Sequence, residues 1–85
     1  MTYSHAAVVR DLSFTVHVED GSYWATVAEY PGIFASGFDL EELRESLEEG
    51  IALYLWDDEG PVPAVSLGEL RLSEMPAAAL LTVAA

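Results

Sequence analysis

The sequence predicts a single α+β domain, with a three-stranded antiparallel meander, one helix packed on it and a short fourth strand. Three observations support this fold class. Polar and apolar residues alternate early in the chain, as in half-buried strands. Turn-forming dipeptides separate the short runs. Behind a helix-capping residue, apolar side chains then recur every three or four positions, as in an amphipathic helix.

The first two strands are predicted to form a hairpin. Apolar and polar residues alternate over 12–18, and 19–22 is a turn-forming cluster that contains Gly21. A β-prone run follows over 23–29. It is apolar on both faces, so we predict a central or covered strand. One face would carry Tyr23, Ala25 and Val27, and the other Trp24, Thr26 and Ala28.

The third strand and the helix follow a turn at Pro31-Gly32. We predict the strand over 33–37. Asp39 is a candidate N-cap, and Glu42 is placed to accept a hydrogen bond from the amide of Asp39. The buried face of the helix is predicted to carry Leu40, Leu43, Leu47, Ile51, Tyr54 and Leu55, and the opposite face Glu41, Arg44, Glu45, Glu48 and Glu49.

The chain after the helix gives weaker signals. The helix is expected to fray over 57–59, with Gly60 as a candidate C-cap and prolines at 61 and 63 that block further helix. No element is assigned over 64–78, and a short fourth strand is predicted over 79–83. At the other end, residues 6–9 either extend the first strand or form an arm. The predicted domain covers 1–85, with its core over 12–60.

Charge is the least ordinary property of the chain. Fifteen acidic residues stand against three arginines, for a formal net charge of −12. A field of this sign repels nucleic acid and anionic lipid and accelerates encounter with a basic protein. The chain has no cysteine, no apolar run long enough to span a membrane and no basic start typical of a signal peptide. We therefore predict a cytoplasmic protein that binds neither membrane nor nucleic acid.

The usual catalytic motifs are missing from the sequence. It has no cysteine, no lysine and no glycine-rich phosphate loop. His5 and His17 lack metal-ligand spacing and are interpreted as surface residues. Glu29, an acid at a strand end, is interpreted as a solvated loop residue. We predict a non-enzymatic protein without a cofactor or metal. A metal-dependent nuclease remains a third hypothesis, which rests only on the abundance of carboxylates.

Acidic residues concentrate on the helix and its exit. Residues 39–59 hold nine acids and a single arginine. Five of these acids lie towards the end of the helix, where its dipole disfavours negative charge. This pattern indicates either a solubility role or a docking surface. Tryptophan is favoured at interfaces, although it also fills small cores. The predicted partner-binding residues are Trp24, Glu45, Glu48, Glu49, Trp56, Asp57 and Asp58.

The segment 14–32 resembles the opening hairpin of HicB-like antitoxins. Gly37, Leu40-Glu41-Glu42 and Ile51-Ala52-Leu53-Tyr54-Leu55 continue the pattern, and the resemblance spans about residues 12–63. It implies a partial ribonuclease-H-like β-β-β-α-β fold without nuclease activity. It also implies binding to a small basic HicA-like toxin that cleaves mRNA, in a type II toxin–antitoxin system.

Two expectations qualify this resemblance. Family members usually continue into a DNA-binding domain, whereas this sequence ends at Ala85, so we expect no DNA-binding domain and no repressor role. The alternative function is a stand-alone homo-oligomeric domain of the same fold, a dimer or a larger assembly, with an unrelated protein or ligand partner. Such self-association would use the uncovered sheet face or an open strand edge.

Overall fold

The computed structural model describes residues 8–84 and confirms the α+β class. One helix and five strands follow in the order β1 (Val8–Glu19), β2 (Ser22–Val27), β3 (Phe34–Gly37), α1 (Leu40–Leu55), β4 (Val65–Leu67) and β5 (Ala77–Val83). All strand pairs are antiparallel, and the sheet order is β3-β2-β1-β5-β4. The described part of the chain contains no helix long and apolar enough to cross a membrane.

The long strand β1 is the centre of the sheet. It pairs with β2 through its second half and with β5 through its first half. Asp20 and Gly21 link β1 to β2 with φ values of 51° and 80°, a left-handed pair that matches the twist of a tight hairpin. Val8 and Val9 lie in β1, so the extension of the first strand is confirmed for these two residues. His5 and residues 6–7 lie outside the described residues.

The predicted start of α1 is confirmed, with one correction. The Asp39 carboxylate accepts a hydrogen bond of 2.8 Å from the amide of Glu42. The Glu42 carboxylate, however, accepts from the amide of Phe38 at 2.8 Å and not from that of Asp39. The predicted C-cap was wrong. Trp56 adopts an extended conformation and ends the helix, so Gly60 lies four positions beyond the cap.

The core lies between α1 and one face of the sheet. Leu43, Leu47 and Ile51 have no solvent exposure, and they pack against a layer that includes Leu12 and Phe14 of β1. Two residues predicted for this buried face are exposed instead. Leu40 and Tyr54 are 36% and 50% exposed to solvent, because they lie in the first and last turns of the helix.

The tail contributes more to the sheet than the sequence predicts. The predicted last strand is present as β5, and it begins two residues earlier than expected. The short strand β4 was not predicted. It pairs with β5 and forms one edge of the sheet, while β3 forms the other. Because α1 contacts both edge strands, the sheet curls around the helix.

Candidate partner-binding surfaces

The outward side of α1 carries acids without partners. Glu45 and Glu49 are exposed and lie one helical turn apart, on the side opposite Leu43 and Leu47. Within residues 8–84, neither carboxylate forms a hydrogen bond or an ion pair. Both charges are therefore free to act on a partner.

The exit of α1 is a compact turn with further exposed acids. The indole N–H of Trp56 donates to the carbonyl of Gly60 at 3.1 Å, and the Asp57 carboxylate accepts from the amide of Glu59 at 3.1 Å. Asp58 has a φ of 66°, in the left-handed region. The last turn of α1 contains no basic residue, so negative charge accumulates at the negative end of the helix dipole.

Two exposed residues of this region were missed in the sequence. Leu53 and Tyr54 are 54% and 50% exposed. The position of Leu53, four residues after Glu49, is the signal that places it on the outward side. The spacing of Tyr54 fits the buried face and gives no such signal; its ring packs on Tyr30 with centroids 5.0 Å apart. We define the helix surface as Glu45, Glu49, Leu53, Tyr54, Trp56, Asp57, Asp58 and Glu59.

Glu48, also predicted to bind a partner, holds β4 in place. Its Oε2 atom accepts from the Leu67 amide at 2.8 Å and from Nη1 of Arg44 at 3.2 Å. Arg44 Nη1 also donates to the Leu67 carbonyl at 3.1 Å. Glu48 is therefore engaged in the fold. We call the contacts among Arg44, Glu48 and Leu67 the β4 clip.

Two of the three arginines are paired with carboxylates of the same chain. Arg44 pairs with Glu41 as well as Glu48, and its hydrogen bond to Glu41 is the main cause that raises the pKa of Arg44. Arg71 pairs with Asp11 at 2.7 Å and with Glu74 at 2.6 Å. Its hydrogen bond to Asp11 is the main cause that raises the pKa of Arg71.

The third arginine, Arg10, lies 5.9 Å from the centre of the Tyr30 ring and donates to the Tyr30 hydroxyl at 3.4 Å. Tyr30 is uncharged, so Arg10 keeps its positive charge. Because the other two arginines are paired with carboxylates, the exposed acids of the helix surface still outnumber the free positive charge that a partner meets on this side of the molecule.

Trp24 lies on the other side of the molecule. It is half-buried on the sheet face away from α1, where its ring stacks on His17 at 3.8 Å and on Phe34 at 5.4 Å between centroids. We call these three rings the aromatic stripe. The rings of the stripe lie on the sheet face away from the outward acids of α1, but Phe34 at the end of the stripe lines a pocket together with Leu53 and Tyr54 of the helix surface.

Glu29 has a structural role that corrects its interpretation as a solvated loop residue. Its two carboxylate oxygens accept from the amide of Ser13 at 2.9 and 3.2 Å. Ser13 lies opposite the end of β2, where that strand no longer offers a backbone acceptor. The Glu29 carboxylate therefore supplies the acceptor for the Ser13 amide. Among residues 8–84, no group of three or more His, Asp or Glu side chains is arranged to hold a metal.

An apolar groove of about 570 Å³ opens beside the β1–β2 hairpin, on the core face of the sheet but beyond the part that α1 covers. The segment 72–77 forms its other wall, and Met75 in that segment is 98% exposed. The predicted binding residues all lie outside this groove.

Comparison with known proteins gives one informative relative. No protein-family model and no solved structure matches the chain. Antitoxin HicB of Pseudomonas fluorescens (strain Pf0-1) is 33% identical to it over an alignment of 82 residues, and the match covers 85% of this chain and 56% of that antitoxin. The chain thus spans little more than half the length of this curated relative. The similarity confirms the resemblance of this chain to HicB-like antitoxins that its motifs indicate.

Proposed function

We propose that this chain is an antitoxin domain that docks on a small basic mRNA-cleaving toxin of the HicA-like kind and neutralises it. The proposal places this toxin–antitoxin pair in the cytoplasm. The observation that carries the proposal is the set of free acids on the helix surface of a chain related to an antitoxin. The chain contributes binding and charge, and no catalytic residue is assigned.

Electrostatics would guide the encounter. Glu45, Glu49 and Asp58 are exposed, and their carboxylates have no partner within the described residues. Screening limits such fields to about 8 Å at physiological salt, so a cluster of charges on one surface acts most strongly on a partner already close to it. A toxin that binds RNA must present cationic groups to phosphates. Carboxylates paired with those cationic groups would compete with the RNA phosphates for them.

Affinity would come from the apolar part of the same surface. Trp56 and Tyr54 are residue types enriched among interface residues with large binding contributions. The bond from Trp56 to Gly60 holds the indole in position before a partner arrives, so little side-chain entropy is lost on binding. The proposed interface thus combines the outward acids of α1 with aromatic residues at the end of the helix.

A charge-matched pair of variants tests this surface. The first combines Glu45→Gln, Glu49→Gln and Asp58→Asn on the helix surface. The second combines Glu19→Gln, Asp20→Asn and Glu69→Gln, three exposed acids elsewhere, and removes the same charge. We expect the first to slow association with the toxin by about 10-fold at low salt, because steering depends on charge near the interface. The second should slow it far less.

The partner would be the product of a small basic reading frame next to this gene, and stopped-flow fluorescence of the two purified proteins gives the association rates. Equal slowing by both variants would show that net charge matters and that the helix surface does not. The absence of any complex at low salt would overturn the proposed function itself.

A further inference from the structure

The outer edge of β3 has unpaired backbone groups. In the β1–β2 hairpin, the tight turn makes Glu19 and Ser22 a hydrogen-bonded pair, and bonded pairs alternate along the strands. Alternate residues of β2 therefore face β3, where Ala35 and Gly37 receive their bonds. Phe34 and Ser36 direct their N–H and C=O groups away from the sheet. Within residues 8–84, no hydrogen bond to these groups is present.

The two edges of the sheet are treated differently. At β4, the outward N–H and C=O of Leu67 are both occupied by the β4 clip, whereas those of Val65 have no partner within residues 8–84. At β3, no side chain takes this role. Exposed edges are commonly protected by charge, proline or a bulge, and the segment 33–38 has none of these. This edge is therefore available for pairing with another strand.

The surface beside this edge is apolar. Phe34 is 64% exposed and ends the aromatic stripe at the rim of the sheet. Phe38, just after the strand, is 80% exposed. Between Glu29 and Asp39 the chain carries no charge, although fifteen of its residues are acidic.

We propose that β3 pairs with β3 of a second copy of this chain in an antiparallel, two-fold symmetric dimer. With the axis at Ala35, Phe34 of each copy pairs with Ser36 of the other, and all the free edge groups find partners. The two aromatic stripes then meet across the axis on one continuous ten-stranded sheet. Ala35 is 2% exposed and lacks the bulk to keep the edges apart.

The charge distribution favours a second copy over a basic protein at this edge. Two chains of −12 repel each other, and an uncharged edge keeps that repulsion lowest. A basic partner would find its complementary acids on the helix surface. The dimer goes beyond toxin docking, because it uses the backbone edge of β3 and not the outward acids of α1. The two contacts are adjacent, since Phe34 lines a pocket with Leu53 and Tyr54 of the helix surface.

Sedimentation equilibrium tests the dimer on the full chain. We expect two-chain particles whose dissociation constant falls as salt rises, because screening weakens the repulsion between acidic copies. A concentration series from about 10 µM to 1 mM covers the affinities of small interfaces. Ser36→Pro removes an N–H that the monomer does not use, and Phe34→Asp places like charges near the axis. Each should raise the dissociation constant at least about 10-fold.

Val9→Asp is the matched control, because Val9 is also exposed on the outer face but lies in the central strand β1. It should dimerise like the wild type. Slower amide hydrogen exchange at Phe34 and Ser36 in the dimer would locate the contact. A wild type that stays monomeric throughout the series, or variants that dimerise as well as it does, would overturn the proposal.

The salt dependence distinguishes the dimer from toxin docking. The dissociation constant of the dimer should fall as salt rises, whereas that of a complex between acidic and basic surfaces should increase. Loss of toxin binding in Ser36→Pro, with a monomeric wild type, would show that the edge serves the toxin instead of a second copy.

Discussion

Gly37→Ala is expected to lower the free energy of unfolding by about 1 to 3 kcal/mol, the usual cost of overfilling a packed site. A Cβ atom on Gly37 would lie 2.6 Å from the Leu43 amide nitrogen and 2.7 Å from the Glu42 Cβ. These atoms belong to the first turn of α1, which is fixed by the Asp39 cap and by the buried Leu43 side chain. The helix must therefore shift for the methyl group to fit.

Thermal unfolding measures this effect. For a domain of this size, 1 kcal/mol corresponds to about 4 to 8 °C in Tm, so we expect a fall of about 5 to 20 °C. Gly68→Ala is the matched control, because its added Cβ would meet only ordinary contacts with Leu80, the nearest at 3.7 Å. Its Tm should stay close to the wild-type value. Equal Tm values for the two variants would show that β3 and α1 do not approach each other as closely at Gly37 as described.

Glu48→Ala is expected to cost about 1 to 3 kcal/mol, the penalty for a buried amide left without an acceptor. The Leu67 amide would lose its 2.8 Å bond, and Arg44 would lose one of its carboxylate partners. Leu67 is only 2% exposed, so water cannot easily replace the missing oxygen. Opening of β4 would then expose the backbone of this sheet edge.

Denaturant unfolding and amide exchange check this prediction. Glu45→Ala is the control on the same helix, and with an exposed, unpaired side chain it should change stability by less than about 0.5 kcal/mol. Glu48→Gln keeps an acceptor oxygen and should recover part of the loss. If the Leu67 amide keeps its protection in Glu48→Ala, the β4 clip does not hold that strand.

Local patterns were sufficient for most of the fold. Alternation over 12–18 and the Asp39 cap predict β1 and α1, because both depend on neighbouring residues in the sequence. The strand β4 could not be predicted in this way. Its three residues form a strand only because β5 and the β4 clip supply partners from distant parts of the chain.

The candidate site was only partly predictable for the same reason. The charge of Glu45 and Glu48 is visible in the sequence, but the bond from Leu67, 19 positions away, sets Glu48 apart from its exposed neighbour. The alternation of β2 correctly places Trp24 on the second face of its strand. The aromatic stripe needed the cross-strand register, which brings His17 opposite Trp24 and Phe34 beside it.

The central claim, that this chain masks a basic ribonuclease through its helix surface, is tested most directly by RNA cleavage. The toxin would be titrated with wild-type protein at several salt concentrations, and RNA cleavage and complex formation would be followed together. We expect cleavage to stop as the complex saturates, and the affinity to fall as salt rises. RNA cleavage that continues at full saturation, or an affinity that does not respond to salt, would contradict the account.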